Sequence, residues 1–148
     1  MSFEQGPYLI TAAFCENVIE DKTGVLSLIR IVDRVTVNAV GYDVPTDMPP
    51  NDFRCKLVIT LKSGKVRGTH TIRVTPHLPS GEVKPPIETA VFLEGENKGC
   101  NLVADMQIRL ERPGVQWYQI HFDDEFLTQI PLEAIYTFTR VPQPPPTT

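Results

Sequence analysis

The run Gly24-Val25-Leu26-Ser27-Leu28-Ile29-Arg30-Ile31-Val32-Asp33-Arg34-Val35-Thr36-Val37 is dense in β-branched residues, and that composition reads as extended chain. Arg30, Asp33 and Arg34 interrupt it, and a strand buried on both faces does not tolerate such charges unpaired. In strict alternation Val25, Ser27, Ile29, Ile31, Asp33, Val35 and Val37 share one face. Leu26, Leu28 and Val32 then fall with Arg30 and Arg34, so neither face is clean. A bulge at Ile29-Arg30 repairs the pattern. It places Leu26, Leu28, Ile31, Val35 and Val37 on the core, leaves Asp33 inward, and makes Arg30 its expected partner. The run is expected to be the central strand of its sheet.

Period-2 alternation recurs through the chain, and helical periodicity is poor. The clearest case is Phe53 to Leu61. Phe53, Cys55, Leu57, Ile59 and Leu61 share one face, while Arg54, Lys56, Val58 and Thr60 share the other, as in a strand with one wet side. Strands are also expected over Tyr8 to Ile19, Thr69 to Thr75, Ile87 to Leu93, Leu102 to Leu110, Val115 to Phe122 and Phe126 to Thr139. A short helical turn is allowed around Glu16 to Asp21. Pro131 marks a bulge or an edge position. Ser63-Gly64-Lys65 and Arg112-Pro113-Gly114 read as turns, and Pro76 to Pro86 reads as a loop. About eight strands at roughly 10–15-residue spacing predict an all-β fold, a two-sheet antiparallel sandwich, immunoglobulin-like in the broad sense. A closed barrel or jelly roll is the alternative.

The expected organisation is an N-terminal extension over 1–6, one β-sandwich domain over 7–141 and a disordered Pro-rich tail over 142–148. A chain of 148 residues buries roughly 70% of its unfolded surface and needs no staples. Its 18 acidic residues outnumber 14 basic ones, for a net charge of −4, which argues against a nucleic-acid partner. No apolar run approaches the roughly 20 residues of a membrane span. Cys15, Cys55 and Cys100 are odd in number, form no C-x-x-C pair, and have no histidine at ligand spacing. Buried free thiols and a cytoplasmic location are expected.

Tyr8-Leu9-Ile10-Thr11-Ala12-Ala13-Phe14-Cys15-Glu16, followed by the Gly24 to Val37 segment, resembles a bacterial family of small uncharacterised single-domain proteins. The hairpin from Trp117 to Phe122 into Leu127-Thr128-Gln129-Ile130-Pro131-Leu132 is similar to that family's ending. The resemblance implies a domain of unknown function with an all-β fold and a bacterial, intracellular origin. It carries no catalytic residue to this chain.

Candidate chemistry is sparse. His121 and Asp123, two apart on one face of a strand end, supply two ligands of a divalent metal site, with His77 or Asp105 as a third by geometry that spacing does not fix. The plain alternative is a solvated acidic hairpin tip. Asp43, Asp47, Asp52, Asp123, Asp124 and Glu125 are available to a calcium- or membrane-binding sandwich, but no dense Asp-x-Asp loop is present. Ser27, Ser63 and Ser80 lie in no G-x-S-x-G elbow, and His70 reads as a satisfied core histidine. The long loop carrying Tyr42 and Met48 suits a partner contact, or else a crossover stiffened by proline. Trp117 falls opposite Tyr118, Ile120 and Phe122, as a packing anchor or a binding platform. A strand-rich fold without a complete catalytic set points to a non-catalytic binding or protein-interaction module that needs no cofactor and takes an unknown protein partner or ligand. A metal-dependent enzyme using His121 and Asp123 is the alternative.

Overall fold

A computed structural model describes residues 4–147. The expected extension at 1–6 therefore lies partly outside the described residues, as does the last residue of the tail. Nine strands are described: β1 (Tyr8–Glu20), β2 (Leu26–Val32), β3 (Arg34–Gly41), β4 (Asn51–Gly64), β5 (Gly68–His77), β6 (Ile87–Leu93), β7 (Glu96–Leu110), β8 (Gly114–Phe122) and β9 (Glu125–Arg140). They form a four-stranded sheet in the order β2-β1-β4-β7 and a five-stranded sheet in the order β3-β9-β8-β5-β6. No described residue is helical. The segment Glu16 to Glu20, where a helical turn was allowed, is strand instead because its backbone pairs with β2.

Alternation places the core. On β4, Cys55, Leu57, Ile59 and Leu61 are buried and Phe53 packs against them. They meet Ile72 and Val74 of β5, Tyr118 and Ile120 of β8, and Leu132 and Ala134 of β9 from the other sheet. Each large aliphatic side chain buried in this way contributes about 1.5–3 kcal/mol before cavity effects. Phe14 of β1 crosses between the sheets, with its ring edge on Tyr118 at 4.9 Å.

The β-rich run from Gly24 to Val37 is not a central strand. It divides at Asp33 into β2 and β3, which lie at the edges of different sheets. The irregularity sits where the charges are, because Arg30 takes a left-handed φ of 55°. Its partner is Glu16, at 3.3 Å, and not Asp33. The antiparallel register brings position 30 opposite position 16, and Asp33 is exposed, with its carbonyl accepting the N–H of Glu133 at 2.9 Å. Val32 therefore packs on the core and Ile31 is 67% exposed, the reverse of the bulge-corrected pattern.

A second departure is that the sheets are not wholly antiparallel. β3 runs parallel to β9 from Arg34↔Glu133 to Gly41↔Arg140. That ladder begins two residues after Pro131, so the missing Pro131 N–H falls outside it, the edge position expected for a proline in a strand.

The outer face of the four-stranded sheet is partly roofed. By register Cys15 and Val58 point away from Phe14 and Leu57, yet both are fully buried. β1 stays paired with β4 only as far as Cys15↔Lys56. Beyond that point the β1–β2 hairpin leans over the sheet, and Asn101 Nδ2 on β7 donates to the Gly24 carbonyl at its tip at 3.2 Å.

Candidate functional site

β6 and β7 belong to opposite sheets and are joined through Glu94 and Gly95. Away from that turn, a space between them opens to solvent beside Ile87 of β6 and Met106 to Arg109 of β7. The resulting cleft, about 200 Å³, is floored by Met106 and Ile108 of β7, Ile87 of β6 and Tyr118 of β8, with Pro76 and Leu78 from the end of β5. Met106, Gln107, Ile108 and Arg109 all line it. Successive side chains of a strand point to opposite faces, so a cleft touched by four consecutive residues borders the strand's edge. β7 is an outermost strand, so among the described residues this edge has no neighbour in the sheet.

One polar pair lies in this apolar floor. The Tyr118 hydroxyl donates to Gln116 Oε1 at 2.7 Å, and both residues are almost wholly buried. Burial, with Cys55 nearby, pushes the Tyr118 hydroxyl well above its ordinary pKa, so it stays a neutral donor. With Oε1 occupied, the Gln116 amide has its two N–H donors left for whatever enters the cleft. The charges at the mouth are balanced by each other. Arg109 meets Glu111 at 3.2 Å and Asp52 at 3.4 Å, while Lys84 meets Glu82 at 3.5 Å. The cleft therefore suits a neutral, hydrogen-bonding group with an apolar side.

The other candidate residues are spread over the molecule. Asp123, at a φ of 51° in the β8–β9 turn, is hydrogen-bonded to residues of β5. Its carboxylate accepts from His70 Nδ1 at 2.8 Å and from the Thr71 N–H at 3.1 Å. His121 packs edge-on against Phe126, and its Nδ1 is buried with no partner among the described residues. Asp105 pairs with Lys56 on the four-stranded sheet, whereas His77 is on the five-stranded one. Among the described residues no group of three His, Cys, Asp or Glu is arranged to hold a metal ion. Tyr42 is exposed, but Met48 is buried in the core. Their loop is fastened to β9 by Tyr136, which donates to the Pro45 carbonyl at 2.6 Å, and by Arg140, which donates to Thr46 Oγ1 at 2.9 Å. Trp117 is 41% exposed on the outer face of the five-stranded sheet, between His77 and Pro131 in register.

The reactive groups are held in quiet states. Burial raises the thiols of Cys15, Cys55 and Cys100, that of Cys55 to about 11, so they are protonated and poor nucleophiles at neutral pH. His70 stacks on Phe122, and its Nε2 faces the Arg67 carbonyl at 2.7 Å. Both ring nitrogens therefore face acceptors, which favours the doubly protonated ring. The hydrogen bond to Asp123, then that to Arg67, raises the His70 pKa above 6.5, and the bond from His70 lowers Asp123 below 3.8.

Stability changes with pH wherever the folded and unfolded chains bind protons unequally. The His70 contribution is full below 6.5 and is lost as pH rises through its raised value. The Asp123 contribution is full above 3.8 and is lost as pH falls through its lowered value. The melting temperature of the wild-type protein is expected to fall as pH climbs from about 6 to about 9, and His70→Gln is expected to flatten that slope. Parallel pH profiles of the two proteins would remove the pair from the account. The half-exposed Asp123 side chain keeps the effect modest.

A family model described as "Family of unknown function (DUF6941)" matches residues 10–135. No curated protein matches the chain. Among solved structures, a beta-glucosidase from Listeria innocua in complex with glucose is similar at a TM-score of 0.45 and 10% identity, over 84% of this chain and 16% of that one. The alkylpurine DNA glycosylase AlkC of Pseudomonas fluorescens, bound to DNA containing an abasic site analog, is similar at a TM-score of 0.34 and 14% identity, over 68% of this chain and 27% of that one. Likeness at this level carries nothing about activity.

Proposed function

The chain belongs to the DUF6941 family of unknown function, and from that premise we propose that it is a non-catalytic protein-interaction module. It binds an extended segment of a partner protein along the free edge of β7. The observation that carries this reading is the placing of Gln116, a nearly buried amide with unspent donors, in an apolar cleft that borders an unpaired strand edge. Such an edge offers main-chain hydrogen bonds, and an adjoining pocket selects one side chain, the division of labour in β-augmentation. About 200 Å³ of space suits one side chain better than a drug-sized ligand, whose pockets run to about 300–1,000 Å³.

Strand order supports an immunoglobulin-like topology, with β1-β4-β7 in the places of strands A, B and E and β5, β8 and β9 in those of C, F and G. The domain is assigned to 7–141, supported by β1 starting at Tyr8 and by the Val141 N–H bonding the Gly41 carbonyl at 2.9 Å. Unpaired thiols and the resemblance noted above support a bacterial cytoplasmic protein. The acidic balance speaks against a nucleic-acid partner.

Selection of random peptides displayed on phage tests the function. Binders are expected that lose about tenfold in affinity to Gln116→Met and bind undetectably to Ile87→Glu. Absence of any enriched binder, or binders indifferent to both substitutions in folded protein, would end the reading.

A further inference from the structure

We propose a second site, independent of the cleft: the cavity between the β1–β2 hairpin and the outer face of the four-stranded sheet binds a small amphiphilic anion of the medium-chain carboxylate type. The space is about 520 Å³, within the size range of small-molecule pockets. Its walls have two chemistries. Val25, Leu26 and Leu28 from the hairpin and Ile10 from a register shift in β1 supply apolar surface. Thr60 and Lys62 of β4, with Asn101 of β7, supply polar groups.

Lys62 is the one ionisable side chain among the described residues that line the cavity, so charge complementarity selects an anionic head. Its Nζ donates to the Asn97 carbonyl at 3.0 Å, which leaves further N–H donors. The Thr60 hydroxyl oxygen is closed to solvent and has no hydrogen-bond partner among the described residues, so it meets a ligand in the cavity once its side chain turns to another χ1 rotamer. A buried hydroxyl without a partner costs free energy that a ligand acceptor would recover. Thr60 and Lys62 are two apart on one strand and so present both donors to the same face. A carboxylate bridging them turns its chain towards Leu26 and Leu28. The Asn101–Gly24 hydrogen bond holds the hairpin over this space.

The test titrates octanoate and, separately, octanol into the full-length protein, read by calorimetry and by methyl NMR of Ile10, Leu26 and Leu28. Saturable octanoate binding with shifts at those methyls is expected. Lys62→Met should weaken octanoate about tenfold while leaving octanol unchanged, and Leu28→Arg should abolish both. If Leu28→Arg does not fold, Thr60→Val reads the same site, and it should weaken octanoate without loss of stability. No saturable octanoate binding would overturn the proposal, as would equal binding by wild type and Lys62→Met. Neither result bears on peptide binding at Gln116, so the two sites fail separately.

Discussion

Phe14→Ala is expected to cost about 3–5 kcal/mol of folding stability, the range for removing a fully enclosed aromatic ring. Phe14 is 1% exposed. It sits opposite Val32 on one side and Leu57 on the other, and its ring meets Tyr118 edge-on at 76°. Alanine there empties the contact between β1 and β8, which belong to different sheets, so nothing on one sheet alone can fill the space. It also loosens the cover over Tyr118, whose hydroxyl orients Gln116. Denaturant unfolding should show a lower midpoint with an unchanged slope. A loss below about 1 kcal/mol would mean that the neighbouring side chains collapse into the gap, and that Phe14 does not tie β1 to β8.

Gly64→Ala is the second large effect, about 2–4 kcal/mol, from a left-handed backbone and a steric clash together. Gly64 has a φ of 61°, and a β-carbon there would overlap the Gln5 carbonyl oxygen and press on the Tyr8 ring. That carbonyl cannot retreat freely, because it accepts the Lys65 N–H at 2.9 Å, and the Gln5 N–H bonds the Tyr8 hydroxyl at 3.0 Å. Gly68→Ala is the control. Its φ is also positive, at 91°, but an added β-carbon meets nothing within 4 Å. It should therefore cost only the backbone part, about 1 kcal/mol. Thermal melts of the two variants separate clash from conformation, and equal losses would contradict the described clamp between the N-terminal segment and the end of β4.

These residues also mark what was legible in the sequence. The core face of β4 was, because alternation over Phe53 to Leu61 is a local property and Cys55, Leu57, Ile59 and Leu61 are buried as it predicts, while Val58 on the other face is buried against it. The polar partner in the cleft left a readable signal that is easy to pass over. Gln116 shares its face with Tyr118, Ile120 and Phe122, and a glutamine among inward positions needs a hydrogen bond. The run from Gly24 to Val37 was legible as strand but not as two strands. Its charges mark the irregularity, while the choice of sheet on either side of Asp33 depends on contacts far along the chain. The parallel pairing of β3 with β9 had no sequence signature, because a half-buried strand alternates in the same way whichever direction its neighbour runs. The roof over Val58 and Thr60 was equally hidden. Both read as wet-face residues, and only the course of the β1–β2 hairpin covers them.

Amide hydrogen exchange, with and without a selected peptide, tests the interaction site most directly. Slowed exchange on peptide binding should concentrate in β7 from Met106 to Arg109 and be lost in Gln116→Met. Protection confined to the loop carrying Tyr42, or to the face carrying Trp117, with the β7 edge exchanging as fast as in the free protein, would contradict it.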